Sequence, residues 1–291
     1  IFFKLENLQK TGSFKLRGAT HKISKLSQEN KRNGVVAYSS GNHAQAVAYA
    51  SLQNQINCKI IMPNNAPKIK IENTKKYKAE VILYDPSTQS RENIGEKISK
   101  DENRTLIRPY DDLDVIAGQG TIGLEILEQL SEPIDYVFVA VGGGGLLAGI
   151  IAVFKTLSPN TKIIAVEPEN SACLDKAMKA NDRVILDSVG IFADGVAVKQ
   201  IGELTFNIIQ PHLDDSICVG IDDICASIKD IYDETRSIVE PAGALSLAGL
   251  KEYIKQHKLE DKNLVTINCG ANMNFDRLRH VAERAEIGEN R

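Results

Sequence analysis

Short, almost uninterrupted apolar runs alternate with longer amphipathic ones along this chain. The runs at 1–6 (IFFKLE), 35–39 (VVAYS), 59–63 (KIIMP), 80–84 (EVILY) and 105–110 (TLIRPY) are followed by 136–141 (YVFVAV), 162–168 (KIIAVEP), 216–220 (SICVG) and 264–268 (LVTIN). Most are continuous rather than alternating, as strands buried on both faces are, and helical periods stand between them. The pattern predicts parallel βαβ units, hence an α/β fold with open, mostly parallel sheets flanked by helices. One helix is expected to start within TGSFKLRGATHK (residues 11–22), with Ser13 as N-cap and Leu16, Ala19, Ile23 and Leu26 on one apolar stripe. Lys15 then falls in the first turn, beside the positive end of the helix dipole, an unfavourable place for a cation.

Composition narrows the classes without naming one. The 291 residues are 43% hydrophobic and 25% charged, enough for a sizeable core and two subdomains. A net charge of −3 implies no general attraction to nucleic acid or to anionic membrane, and no apolar run is long enough to span a bilayer. Cys58, Cys173, Cys218, Cys225 and Cys269 are scattered, odd in number and without a C-x-x-C pair. That argues against a disulfide framework or zinc knuckle and fits a reducing cytoplasm. The five histidines form no H-E-x-x-H pattern, so no metal is expected. The chain opens on a strand-like segment without Met or a secretory signal, so residues are expected to precede Ile1.

Two strand-to-helix turns carry the chemistry. In VFVAVGGGGLLAGI a buried strand gives way to Gly142, Gly143, Gly144 and Gly145, and a helix opens near Leu146. Glycine lets backbone N–H groups approach a ligand, and a helix N-terminus adds unpaired donors, so an anion site for phosphate is expected. Gly143, Gly145 and Ala148 also fit the dinucleotide pattern G-x-G-x-x-A, with Glu167 at the distance of a ribose-binding acid, which keeps an NAD oxidoreductase open. The Walker lysine pattern is absent. In VVAYSSGNHAQAVAYA, residues Ser39, Ser40, Gly41, Asn42 and His43 stand between a strand and an Ala-rich helix, a place suited either to a carboxylate or to plain capping by Ser40 or Asn42. His43 reads as a capping or packing residue.

GSFKLRGA, SSGNHAQ and VGGGGLLAG occur in the order found in fold-type II pyridoxal-phosphate enzymes, and the chain resembles their threonine ammonia-lyase branch. The resemblance continues through IAGQGTIGLEILEQL, VGIFADGVAVKQIGE, EPAGALSLAGLKEYI and CGANMNFDRLRHVAERAEIGE, the last most like the biosynthetic, isoleucine-pathway type, in which an ACT-type regulatory domain follows. It implies that Lys15 forms a Schiff base with pyridoxal phosphate and later takes the substrate Cα proton. Asn42 would bond the phenolic oxygen, Gly142, Gly143, Gly144, Gly145 and Leu146 would cradle the phosphate, and Cys269 would face the pyridine nitrogen. Ser39, Ser40, Gly41, Asn42 and His43 would hold the substrate carboxylate, and Asp194 would shape a turn beside the site. A small domain of residues 34–111 is expected within a large one of 1–33 and 112–291, in a homodimer or homotetramer. The implied reaction is β-elimination of L-threonine to 2-oxobutanoate and ammonia, with L-serine giving pyruvate.

Two positions depart from the pattern. Where close relatives usually have Ser, this chain has Cys269, whose thiol is a weaker donor than a hydroxyl and can oxidise. Ser40 stands where these lyases commonly have Ala and serine racemases have Ser, so a racemase or serine dehydratase reading stays open. Against it, the racemases' metal-binding pair is incomplete, because Cys173 lies six residues after Glu167 where an Asp is needed. Glu167 and Glu240 read as structural or solvated charges, and the basic run at 276–291 as an amphipathic surface or docking helix.

Overall fold

A computed structural model describes residues 1–66 and 68–289. Its strands are β1 (Phe2–Lys4), β2 (Val35–Tyr38), β3 (Cys58–Pro63), β4 (Glu80–Tyr84), β5 (Thr105–Leu106), β6 (Tyr136–Ala140), β7 (Lys162–Pro168), β8 (Asp215–Val219) and β9 (Leu264–Ile267). Each overlaps one of the expected apolar runs, β3 and β8 starting one residue earlier. The helices are α1 (Lys15–Ser24), α2 (Gln28–Asn33), α3 (Asn42–Gln53), α4 (Lys68–Lys76), α5 (Arg91–Asp101) and α6 (Leu113–Gln129), then α7 (Gly145–Leu157), α8 (Cys173–Ala180), α9 (Glu203–Ile209), α10 (Ile221–Thr235), α11 (Pro241–His257) and α12 (Leu278–Glu289).

The strands form two sheets, ordered β1-β9-β6-β7-β8 and β4-β3-β2-β5, and every pairing within them is parallel. Parallel strands covered by helices on both faces explain the continuous apolar runs: β2, β9 and all but the first residues of β6 and β7 are buried. Only Thr105–Leu106 of the run at 105–110 pairs as a strand. Ile107 N–H still reaches the Val36 carbonyl, and Pro109, which lacks an N–H, then turns the chain away from the sheet.

Helix α1 joins the two layers. Leu16, Ala19 and Ile23 are buried in the core of the four-stranded sheet, as the apolar stripe predicts, and Leu26 packs on that core just beyond the helix end. The opposite side of α1 lies so close to α6 that a Cβ on Gly18 would come within 2.4 Å of Gln119. Arg17 ties α1 down further: its guanidinium binds the buried carboxylate of Glu6 at 2.7 Å through both Nε and Nη2, and Glu125 of α6 at 2.7 and 2.6 Å. Ser13 does not cap the helix. Its hydroxyl is buried without a partner among the described residues, and residues 12–14 are held by backbone bonds and a bridge to residues 269–271. Helix α12 docks on α10 through Val281 and Ala285, with Arg284 on Asp222 at 2.6 Å. Asn290 and Arg291 of the expected docking run lie outside the described residues.

Candidate active site

Strand order places the site. In the large sheet β6 and β9 are neighbours, yet the chain leaves β6 toward β7 and reaches β9 last. In the small sheet β2 and β5 are related in the same way. Ligands of open α/β sheets bind beyond the carboxyl ends of strands at such reversals. Here the two reversals line one cleft of about 190 Å³, with residues following β2 (Ser39–His43), β5 (Pro109, Tyr110), β6 (142–146) and β9 (Cys269) in its wall. Lys15, Ser39, Ser40, Gly41, Asn42, His43, the four glycines, Leu146 and Cys269, separate in sequence, all meet there.

Lys15 is the first residue of α1, and its Nζ donates to the Pro109 carbonyl at 2.7 Å. Burial lowers its pKa from 10.5 to about 8, against a smaller opposing pull from Cys269. The amine is therefore far closer to neutrality at physiological pH than a surface lysine. Burial, rather than the helix end alone, is the principal cause.

The glycine turn is held from behind. Gly144 caps α7 with φ of 89°, in the left-handed region that favours glycine. A Cβ on Gly143 would come within 2.3 Å of the Tyr110 ring, and one on Gly142 within 2.9 Å of Val196. Thr205, fully buried, donates its hydroxyl to the Gly143 carbonyl at 2.7 Å. Thr205 is placed by α9, which Asp111 caps by accepting the N–H groups of Glu203, Leu204 and Thr205. The glycines thus answer first to tight protein contacts, and with them to the ligand approach the sequence suggested. Among the described residues, nothing accepts from the N–H groups of Gly142, Gly143, Gly144, Gly145 or Leu146. Such an array of free donors at a helix N-terminus suits a phosphate.

Neither Ser40 nor Asn42 caps α3, whose N-cap is Gly41 without a side-chain bond. Ser39 Oγ instead accepts from Gly41 N–H at 3.1 Å. Asn42 Nδ2 donates to Glu240 at 2.5 Å, and Asn42 Oδ1 accepts from Asn272 at 2.8 Å. His43 is buried and donates Nε2–H to the Ile107 carbonyl at 2.9 Å; burial first, then Lys15, push its pKa down to about 3. It is a neutral packing residue in the cleft wall, as its position suggested. Cys269 is buried beside Lys15, and burial, Glu240 and Glu6 push its thiol far above the ordinary range, so it is neutral. Asp194 opens a 3-10 turn at the cleft mouth and binds Lys70 of α4 at 2.9 Å.

Several supporting residues escaped the sequence reading. Tyr110 in the cleft wall and Thr205 behind the glycine turn carry no motif, and Asn272 stands within CGANMNFDRLRH without a mark of its own. Glu240 did leave a signal, an acid inside the apolar stretch SIVEPAGAL just before a proline. It is buried, its pKa raised to about 7 chiefly by desolvation. Glu167, in contrast, is not a cofactor acid. It is buried and accepts the N–H groups of Leu174 and Asp175 at 2.8 and 2.7 Å, so it serves the start of α8. That removes the acid on which the dinucleotide reading depended. Among the described residues, no group of three or more His, Cys, Asp or Glu could hold a metal ion, and no helix is long and apolar enough to cross a membrane.

The donor set fits a compound with a phosphate and a carbonyl: free N–H groups for the one, a desolvated amine for the other. Comparison with known proteins agrees. A family model described as pyridoxal-phosphate dependent enzyme matches residues 1–270. The chain is 48% identical over its whole length to the biosynthetic L-threonine dehydratase of Haemophilus influenzae, covering 56% of that protein. It thus spans about half the length of the curated relatives it matches. The processed form of threonine deaminase isoform 2 from Solanum lycopersicum superposes with a TM-score of 0.93 at 43% identity, over 97% of this chain and 83% of that one. Maize serine racemase gives 0.90 at 34% identity, over 99% and 88%. The chain belongs to the family of pyridoxal-phosphate-dependent enzymes, with the fold-type II architecture of two parallel sheets around one cleft.

Proposed function

We propose that this chain carries the catalytic site of an ammonia-lyase that converts L-threonine to 2-oxobutanoate and ammonia, and L-serine more slowly to pyruvate. The observation that carries the reading is Lys15, a desolvated amine in the same cleft as a free N–H array and a neutral thiol. Lys15 would hold the cofactor covalently through Nζ, residues 142–146 would bind its phosphate, and Asn42 and Cys269 would address its ring. When bound, pyridoxal phosphate supplies a carbonyl that captures the substrate amine and a ring that accepts the electron pair left at Cα. Ser39, Ser40, Gly41 and Asn42 would hold the substrate carboxylate, while His43, expected in that set, would only pack behind them because its Nε2–H is given to the Ile107 carbonyl. Nζ, about half of it neutral near pH 8, would then take the Cα proton. Burial keeps the Cys269 thiol neutral, which would favour loss of the β-hydroxyl over a long-lived charge at Cα, the hydroxyl leaving as water with the proton that Nζ has taken. The unsaturated amine that leaves takes up water and gives the oxo acid and ammonia.

The test is incubation with L-threonine and pyridoxal phosphate, assayed for 2-oxobutanoate. Turnover should vanish in Lys15→Ala together with the borohydride-sensitive visible band. A colourless wild-type protein without turnover would overturn the reading. A second outcome has a specific basis: Ser40 lines the cleft, and its hydroxyl has no hydrogen-bond partner among the described residues. It is available as a second acid or base, and D-serine formed from L-serine would reveal it. The homo-oligomer and the cytoplasmic site belong to the same proposal, the latter supported by five free cysteines.

A further inference from the structure

Asn42 sits in a hydrogen-bonded chain whose direction can be deduced from one end. Asn272 donates through Nδ2 to the Thr11 carbonyl at 2.8 Å. A backbone carbonyl only accepts, so the Asn272 atom facing it must be the amide nitrogen. The same nitrogen lies 2.8 Å from the Asn42 side chain, so the Asn42 atom it meets must be the oxygen. Asn42 nitrogen is thereby turned toward Glu240, which accepts from it at 2.5 Å. Glu240 is fixed in turn. It also receives the backbone N–H of Asn272, its own N–H bonds the Gly270 carbonyl at 3.0 Å, and a Cβ on Gly270 would come within 2.4 Å of its carboxylate. Of the two N–H groups of Asn42, one remains.

We propose that Asn272 and Glu240 are positioning residues that lock the amide of Asn42 so that it offers the cofactor an N–H, and hence selects an acceptor oxygen on its ring. The proposal rests on the cofactor reading above. Without the clamp the amide turns freely, and either end can face the cleft. Asn272 and Glu240 thus act through Asn42, and their effects on cofactor affinity are not additive with its removal.

The experiment is a double-mutant cycle on the holoenzyme, reading the dissociation constant of pyridoxal phosphate and its visible absorption maximum. Asn42→Ala should weaken binding roughly fivefold, the worth of one hydrogen bond. Glu240→Ala and Asn272→Ala should each weaken it by a similar factor and shift the absorption band in the same direction as Asn42→Ala. Either change added to Asn42→Ala should cost less than twofold more. Multiplying effects, or a band left unmoved while affinity falls, would show that the two residues act independently of Asn42 and would overturn the proposal. If Glu240→Ala does not fold, Asn272→Ala carries the same prediction without a change of charge. Glu240→Gln, which keeps an acceptor for Asn42, should then hold affinity within twofold; a fivefold loss there counts against the clamp. A wild-type protein whose band persists in Lys15→Ala would refute the cofactor reading itself, a result distinct from additivity.

Discussion

Replacing Lys15 with methionine should stabilise the cofactor-free protein, and by an amount that depends on pH. The amine has a pKa of about 8 in the folded chain against 10.5 when exposed. That gap corresponds to about 3 kcal/mol. Below pH 8 the amine is charged in both states, and the folded state carries the whole desolvation cost. Between pH 8 and 10.5 the folded chain releases its proton while the unfolded chain keeps it, so stability rises with pH. Above 10.5 both are neutral and the cost is gone. Methionine matches the alkyl stem but leaves the Pro109 carbonyl without its 2.7 Å donor, a loss of about 1 kcal/mol. The net gain at pH 7 is then about 2 kcal/mol, falling to zero or slightly below near pH 10.5. Urea unfolding of the two cofactor-free proteins at pH 7, 8.5 and 10 measures it, with equal m values required of both. A gain that does not change with pH, or a variant less stable at pH 7, would refute the argument that burial of the charge sets this pKa.

Three other outcomes follow from the same geometry. Gly143→Ala puts a methyl 2.3 Å from the Tyr110 ring and must displace the turn, so cofactor affinity should fall at least tenfold by absorbance titration while the far-ultraviolet circular dichroism stays native. Arg17→Met leaves the buried Glu6 carboxylate without its guanidinium, and unfolding free energy should drop by about 3–5 kcal/mol in denaturant titration. Cys269→Ser replaces a neutral thiol with a better neutral donor, so the dissociation constant of pyridoxal phosphate should fall a few-fold, the yield of one hydrogen bond.

Strands were the legible part of the fold, because double-sided burial writes itself as unbroken apolar runs. The chemistry-bearing turns were legible for a related reason: glycine, asparagine and serine between a strand and a helix leave donors free, and Lys15, Asn42 and residues 142–146 do meet in one cleft. What the sequence could not show was polarity and support supplied from elsewhere in the chain. Ser13 has the composition of an N-cap, but pairing of residues 12–14 with 269–271 holds that backbone instead. Glu167 stands at a ribose-acid distance from the glycines, yet α8 claims both its oxygens. Thr205, Asp111 and Tyr110 hold the glycine turn through contacts that no local pattern records.

The bonds that define the cleft join residues 94 apart for Lys15 and Pro109, 198 for Asn42 and Glu240, and 261 for Asn272 and Thr11. Among the described residues, strand β1, which leads to Lys15, pairs with β9 alone, more than 250 residues later in the chain. During synthesis α1, which carries the amine, can pack on the small sheet early, but β1 just before it has no strand to pair with until β9 is made. The small sheet, contiguous in sequence, can form long before. Cofactor capture thus reports the arrival of β9: a nascent fragment ending before it lacks the Cys269 side of the cleft and exposes the β6 edge on which an early association would begin.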